Sequence, residues 1–192
     1  MCAAASERPG LAVIVVNWNG REHLAGCIGS LLECGTDPLR IVLVDNASAD
    51  DSVAFCRDAF PSLEIVESDE NRYWAGGNNL GLKHLCATDC PEYVLLLNND
   101  TIVPAGGLDL LVDALEEEPG AWVATPRICY AHEPSLIWYD GGQVGTWSGW
   151  VRHQGIRKGA GTRPLERRFI EYGTGCALML TRTALELSLI HI

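Results

Sequence analysis

The stretch with most chemical information is residues 93–101, where an apolar run ends in Asn98, Asn99 and Asp100. Such a run is typical of a buried strand, and ligands of open α/β sheets bind at the carboxyl ends of strands. A carboxylate at that position suits a divalent cation that also holds substrate phosphates. Asp100 is therefore a candidate metal ligand, although an Asx-turn with only local hydrogen bonds explains the same residues.

Polar residues also follow three earlier apolar segments. Asn17 and Trp18 follow the first, Asp45 and Asn46 follow the second, and Asn71 lies beyond the third. In a right-handed parallel arrangement these segment ends converge on one crevice. There Asp45 would accept an N–H group of a nucleobase, and Trp18 would stack on the base. Singly, a helix-capping turn at Asp45 and a core role for Trp18 explain these residues as well, so the convergence carries the prediction.

Residues 76–79, which read Gly-Gly-Asn-Asn, add a predicted contact for phosphates or ribose hydroxyls. We predict a short helix from Gly77 to Cys86, and the N–H groups at the start of a helix favour anions. The alternative is a simple turn at the two glycines.

The elements around these residues alternate between apolar strands and helices, which predicts a mostly parallel sheet covered on both faces. The predicted strands cover residues 11–16, 40–44, 63–67, 93–97 and 122–125, and the predicted helices cover residues 22–34, 50–59, 77–86 and 106–117. Beyond them, aromatic and glycine residues predict a hairpin or ribbon in residues 136–150, followed by a mobile basic loop in 152–168. Residues 169–172 and 177–180 are predicted to be extended, around a turn at 173–176. The predicted fold class is a Rossmann-like α/β domain.

Composition restricts the classes of protein that fit. The chain has 192 residues and a formal net charge of −11, which argues against a general nucleic-acid binder. Its eight cysteines include no C-x-x-C pair, so we expect no zinc site. We see no leader and no apolar segment of roughly 20 residues, which predicts a cytoplasmic protein with reduced thiols.

Together the motifs resemble those of family 2 glycosyltransferases of the GT-A fold, closest to the rhamnosyltransferase-like branch. The resemblance runs from Leu11 to Leu185. Residues 13–20 resemble the first strand and its base-stacking aromatic, and residues 44–52 resemble the D-N-x-S-x-D-x-S motif. Residues 71–81 resemble the N-x-G-x-A-x-G-N-N-x-G segment, with Tyr73 where glycine is common. Residues 97–101 resemble the metal-binding D-x-D motif, with Asn98 in place of the first acid.

The resemblance implies an inverting enzyme that moves a sugar from a dTDP-rhamnose-like or UDP-sugar donor to a saccharide or lipid-linked acceptor in cell-surface polysaccharide synthesis. It implies Mg²⁺ or Mn²⁺ at Asp100. It also implies nucleotide-sugar binding by Asn17, Trp18, Asp45, Asn46, Gly77, Asn78, Asn99 and Asp100, and a sugar or acceptor pocket at Gly142, Thr174, Gly175 and Cys176. Peripheral association with the inner face of a membrane is compatible with a cytoplasmic location.

Two other functions stay open beside this one. A non-catalytic module that binds a nucleoside diphosphate would use the same residues. A nucleotidyltransferase fits less well, because no glycine-rich basic loop follows the first strand. The chain also has no G-x-G-x-x-G motif there, which argues against a dinucleotide-dependent dehydrogenase.

The end of the chain raises a separate expectation. The family's E-D-x-D motif, which supplies the general base, should follow the segment at 174–180 by a few dozen residues, and the sequence stops earlier. Residues 187–192 can be encoded by the start of a sequencing-library adapter. We therefore expect one truncated domain in residues 1–186 followed by an artefact, with a natural C-terminus as the alternative. We assign no base, and expect Asp140, Glu166 and Glu171 to be solvated carboxylates.

Overall fold

The computed structural model describes residues 10–34, 40–87, 90–145, 147 and 149–189. Ten strands are present in this part of the chain: β1 Leu11–Asn17, β2 Ile41–Asp45, β3 Glu64–Glu67, β4 Tyr93–Asn98, β5 Val123–Ala124, β6 Ile128–Tyr130, β7 Glu133–Tyr139, β8 Gly142–Val144, β9 Val151–His153 and β10 Ala177–Thr181. Its five α-helices are α1 Arg21–Glu33, α2 Ser52–Ala59, α3 Tyr73–Cys86, α4 Gly107–Glu116 and α5 Arg182–Leu189.

The central sheet has six strands in the order β3-β2-β1-β4-β10-β5. Strands β1 to β4 pair in parallel, whereas β10 is antiparallel to both of its neighbours. The predicted α/β architecture with a mostly parallel sheet is confirmed. The insertion of β10 between β4 and β5 was not predicted, because the residues of β10 do not show which strands it pairs with.

The sheet is buried on both faces because its strands are continuous apolar runs. Val13 and Val15 of β1 point to one face, where they pack with α1, α2 and α4. Ile14 points to the other face and packs with Leu82 of α3 and Leu185 of α5. Burial of each such side chain contributes about 1.5–3 kcal/mol relative to exposure. The two cores fix the strand ends against each other, which is what a site built across several strands needs.

The region after β5 contains two separate ribbons rather than one hairpin. Strand β6 pairs with β7, and β8 pairs with β9. Gly141, with a φ of 94°, joins the two ribbons and is not a hairpin turn. The prediction of a ribbon is confirmed, and the structure adds the second pair.

The basic segment at 152–168 lies against β7 of the first ribbon, where Ile137 exchanges backbone hydrogen bonds with Arg157 and Lys158. It is also joined to Asp140, which directly follows β7. The Asp140 carboxylate forms ion pairs with Arg127 at 2.9 Å, Arg163 at 2.6 Å and Arg168 at 3.2 Å. Asp140 is 5% exposed, so its expected role as a solvated carboxylate was wrong. Burial alone raises the pKa of Asp140, but hydrogen bonds from Arg127 and Arg168 outweigh it and the pKa lies below its ordinary value.

Two predicted features of the central region differ in the structure. Helix α3 begins at Tyr73, four residues before the predicted start at Gly77. The structure pairs Cys86 with Cys90 as a disulfide, with their Cα atoms 4.0 Å apart. It therefore differs from the expectation of reduced thiols at this pair.

The expected artefact at 187–192 falls partly outside the described residues. Residues 187–189 complete α5, and residues 190–192 lie beyond the described part.

Candidate functional site

A line of hydrogen-bonded side chains crosses the carboxyl ends of three neighbouring strands. The register places Asn17 of β1 beside Asp45 of β2. Asn99, just after β4, donates from its Nδ2 to Asn17 Oδ1 at 2.6 Å, and Asn17 Nδ2 donates to Asp45 Oδ1 at 3.0 Å. Asn17 is completely buried, and Asp45 is 3% exposed. The predicted convergence of these polar residues on one edge is therefore present.

The Asp45 carboxylate is already bonded within the chain, but not to capacity. Its Oδ1 also accepts from Ser48 Oγ at 2.6 Å, and its Oδ2 accepts from the Ser48 N–H at 2.9 Å. Each carboxylate oxygen accepts two hydrogen bonds, so Oδ2 can accept one more. The local turn and the base-binding role that the sequence left as alternatives are thus compatible in this geometry.

The loop after β1 lies beside this carboxylate and carries an exposed aromatic. Trp18 is 57% exposed, so it is not a core residue. The backbone N–H of Asn19 donates to Ser48 Oγ at 2.9 Å, which ties the loop to the turn after β2. A side chain at Gly20 would overlap the Asn99 amide, so only glycine allows this approach.

Asp100 follows β4 and is exposed. Within the described part of the chain its carboxylate makes no hydrogen bond or ion pair. The pKa of the Cys27 and Cys176 thiols is raised first by burial and in smaller part by the negative charge of Asp100. No set of three or more His, Cys, Asp or Glu side chains able to hold a metal occurs among the described residues. Asp100 therefore offers one hard oxygen donor. This fits Mg²⁺ or Mn²⁺ whose other ligands come from a diphosphate and water.

The start of α3 is attached to the same edge by the buried amide of Asn46, and a second buried amide, that of Asn78, lies within α3. Asn46 Nδ2 donates to the Tyr73 carbonyl at 3.0 Å, and Asn78 Nδ2 donates to the Trp74 carbonyl at 2.8 Å. Their Oδ1 atoms are buried and have no partner within the described residues.

Gly77 and Asn78, predicted to contact phosphates or ribose hydroxyls at the start of a helix, do not lie at the start of α3. Both residues are buried and lie in the second turn of α3, so the Gly77 N–H is not at a helix end. A Cβ at Gly77 would lie 2.7 Å from Val16 and 2.9 Å from Asn46 Nδ2. Glycine there allows α3 to pack closely on β1 and β2.

The turn at 173–176 is joined to both α3 and β4. Trp74 Nε1 donates to the Gly175 carbonyl at 3.0 Å, and Thr101 Oγ1 lies 3.4 Å from Cys176 Sγ. Thr174 is 9% exposed. The turn therefore lies next to Asp100, as the predicted sugar or acceptor pocket requires.

Gly142, predicted for the same pocket, is buried beneath the ring of Tyr172. It contributes close packing instead of an open pocket wall.

Three residues of this site were not identified from the sequence. Ser48 was noted only as part of the motif at 44–52, yet it bonds to Asp45, Asn17 and Asn19. Gly20 and Trp74 were noted only as parts of motifs. The available signal was their place inside those motifs, but their contacts depend on residues far apart in sequence.

Comparison with known proteins shows the family of this chain. The profile described as "Glycosyl transferase family 2" matches residues 12–186. The chain belongs to glycosyl transferase family 2. A curated relative, the teichoic acid poly(glycerol phosphate) polymerase of Staphylococcus epidermidis, is 24% identical over 96 residues, which are 48% of this chain and 13% of the relative.

Two solved structures share the fold. The mannosyltransferase PcManGT from Pyrobaculum calidifontis, in complex with GDP-Man and Mn²⁺, has a TM-score of 0.61 at 18% identity. The match covers 96% of this chain and 48% of the mannosyltransferase. S. aureus TarS 1-349 in complex with UDP has a TM-score of 0.55 at 17% identity, covering 94% of this chain and 48% of TarS 1-349.

The family 2 chain therefore has a GT-A-like fold and spans about half the length of these structures. Among its described residues, no helix combines the length and apolar character required to cross a bilayer.

Proposed function

We propose that this family 2 protein binds a nucleoside diphosphate sugar at the carboxyl edge of its sheet and transfers the sugar, with inversion, to a saccharide or lipid-linked acceptor. The observation that carries the proposal is the hydrogen-bonded line from Asn99 through Asn17 to Asp45, with the exposed Trp18 directly after Asn17 and Asp100 directly after Asn99. This line of side chains has the features needed to bind, one after another, the base, the ribose and the diphosphate of the donor. The bound GDP-Man and UDP of the two structural neighbours support this choice of ligand class.

Each end of the line has its own role in the proposal. Asp45 Oδ2 accepts an N–H group of the base while Trp18 stacks on the base. The buried Oδ1 atoms of Asn46 and Asn78 lack donors among the described residues, and ribose hydroxyls or water would supply them. At the other end Asp100 holds a divalent cation, whose chemistry is to neutralise the departing diphosphate.

Two of the acids first considered, Asp140 and Glu171, are unsuited to be the general base of this proposal. Asp140 is engaged by arginines, and its pKa is lowered, which makes it a weak base. Glu171 accepts a hydrogen bond from the Val144 N–H. We therefore assign no general base among the described residues. The second candidate function is therefore a non-catalytic module that binds a nucleotide. The hydrogen-bonded line from Asn99 to Asp45 favours it equally.

The finer assignments belong to the same proposal. We propose a rhamnosyltransferase-like branch, with a dTDP-rhamnose-like or UDP-sugar donor. A role in cell-surface polysaccharide synthesis is supported by the teichoic acid polymerase relative. We place the protein in the cytoplasm, at or near the inner face of the membrane.

Isothermal titration with UDP, dTDP and GDP in Mn²⁺ tests the binding half of this proposal. We expect at least one nucleotide to bind the wild type. Asp45→Ala should weaken its binding by about 1–3 kcal/mol, because a base N–H loses its acceptor. Asp58→Asn, an exposed acid at the end of α2, is the control and should bind as the wild type does.

Circular dichroism must show that Asp45→Ala is folded, because Ser48 and Asn17 lose a partner as well. No binding of any nucleotide by the wild type would refute the proposed function. Donor consumption in the presence of candidate acceptors then separates a transferase from a module that only binds.

A further inference from the structure

Unusual backbone conformations cluster at the proposed donor site. Four non-glycine residues in the described part of the chain have a positive φ, and three of them follow β1, β2 and β3: Asn19 at 51°, Ala47 at 59° and Tyr73 at 56°. Asparagine tolerates this left-handed region, whereas a bulky residue such as tyrosine is a strained outlier there. Such strain persists where the surrounding structure fixes it, and it collects at ligand sites.

Tyr73 is fixed by hydrogen bonds on both sides of its peptide unit. Its N–H donates to Asn71 Oδ1 at 2.8 Å, and its carbonyl accepts from Asn46 Nδ2 at 3.0 Å. Asn46 is 1% exposed and directly follows Asp45. The position of the Tyr73 backbone is therefore fixed relative to Asp45, the residue proposed to bind the base.

The side chain of Tyr73 makes no stabilising contact with the rest of the described chain. It is 79% exposed, and no hydrogen bond to its hydroxyl and no ring contact occurs among the described residues. The neighbouring Trp74, by contrast, packs on Gly175 and donates to its carbonyl. Glycine would adopt the same backbone without strain. A tyrosine that costs backbone energy and makes no contact within the described chain requires another explanation for its presence.

The turn that carries Tyr73 also lacks hydrogen-bond donors. Asn46 and Asn78, which hold the Tyr73 and Trp74 carbonyls, are at least 98% buried and leave their Oδ1 atoms without a partner in the described part. Buried acceptors of this kind are normally satisfied, by water or by a ligand. Both observations indicate a group from outside the chain at this turn.

We propose that Tyr73 is a second aromatic contact for the nucleoside of the donor, in addition to Trp18. The proposal rests on the function proposed above and names a residue that sets nucleoside affinity. Every nucleobase has a flat π-face on which an exposed tyrosine ring stacks, and the Tyr73 carbonyl is bonded to Asn46, the neighbour of Asp45. The ring adds affinity for any base, and Asp45 reads the hydrogen-bonding edge.

The test uses three substitutions that separate the ring from the strain. Tyr73→Phe keeps both, Tyr73→Ala keeps the positive φ but removes the ring, and Tyr73→Gly removes both. Each is titrated with the nucleoside diphosphate that binds the wild type and with the matching monophosphate. Thermal unfolding of each protein without ligand is recorded in parallel.

We expect Tyr73→Ala and Tyr73→Gly to weaken binding of both nucleotides by a similar factor, on the order of 10- to 100-fold, and Tyr73→Phe to bind as the wild type does. We also expect Tyr73→Gly to unfold at a higher temperature than Tyr73→Ala. If Tyr73→Gly is more stable than Tyr73→Ala and still binds less tightly than the wild type, the backbone strain at residue 73 is retained for a ligand contact of the ring.

Other outcomes would overturn the inference. Equal binding by wild type, Tyr73→Ala and Tyr73→Gly would show that the ring touches no ligand. A loss confined to the diphosphate would show that Tyr73 contacts the phosphates and not the nucleoside. Absence of nucleotide binding by the wild type would instead refute the proposed function, and this inference with it.

Discussion

Asp100 permits a quantitative test of how metal and nucleotide bind. Its exposed carboxylate has no hydrogen bond or ion pair in the described part of the chain, and no cluster of three candidate metal ligands occurs there. A six-coordinate cation bound to one protein oxygen keeps most of its waters and gains further ligands from a diphosphate. Metal and nucleotide should therefore bind weakly alone and more tightly together, each raising the affinity for the other by the same factor.

The size of the effect follows from the charge at the mouth of β4. Asp100→Asn removes one negative charge from beside a divalent cation. Two unit charges 4 Å apart interact by about 1 kcal/mol in water and about 4 kcal/mol near a protein surface. For an exposed carboxylate and a doubly charged ion we use the lower value twice, about 2 kcal/mol. That corresponds to roughly a 30-fold loss of nucleotide affinity.

The assay is isothermal titration of the diphosphate in Mn²⁺ and again in excess EDTA. The wild type should bind about 30-fold more tightly in Mn²⁺, whereas Asp100→Asn should show similar affinity in both buffers. Asp58→Asn should behave as the wild type does. Because Asp100 is exposed and unpaired, its substitution should leave the unfolding midpoint unchanged. An equal Mn²⁺ effect in wild type and Asp100→Asn would refute the assignment of the metal to Asp100.

Two further predictions concern buried groups away from the nucleotide. Asp140→Asn should lower the free energy of unfolding by about 3 kcal/mol in urea titrations, because Arg127, only 11% exposed, loses its counter-charge. Since the folded-state pKa of Asp140 is lowered, its contribution is present above the unfolded pKa of about 3.9 and is lost as the pH falls through the folded-state value. The variant should therefore lose less stability than the wild type below about pH 4; a parallel loss would contradict this. Cys27 and Cys56 should resist iodoacetamide at pH 8 until the protein unfolds, because burial raises the pKa of Cys27 to about 12 and of Cys56 to about 11. Peptide mass spectrometry would contradict this if native Cys27 were alkylated as fast as the denatured thiol.

The elements of the central sheet were predictable because their signals are local. An apolar run such as residues 93–97 has no polar face, which favours a strand buried on both sides. Helix α4 shows apolar residues at Leu108, Val112 and Leu115, a spacing that predicts one buried face. The position of polar residues at strand ends then predicted the edge on which Asn17, Asp45 and Asn99 meet.

The start of α3 could not be predicted in the same way. Tyr73 has a positive φ, which local propensity disfavours. Asn46 holds the Tyr73 carbonyl from 27 residues away, and this contact exists only when β2 and α3 are packed together. The predicted helix start at Gly77 was wrong for the same reason, since the helix has already begun at Tyr73.

The sequence by itself determined the α/β class, the two apolar faces of the sheet and the polar residues that end its strands, because each depends on residue type and spacing along the chain. Only the tertiary structure decided the antiparallel insertion of β10, the burial of Asp140 and the tie between Trp74 and Gly175. These features join residues far apart in sequence. A charge such as that of Asp140 is buried only where cations from other segments meet it, and a single residue does not reveal its distant partners.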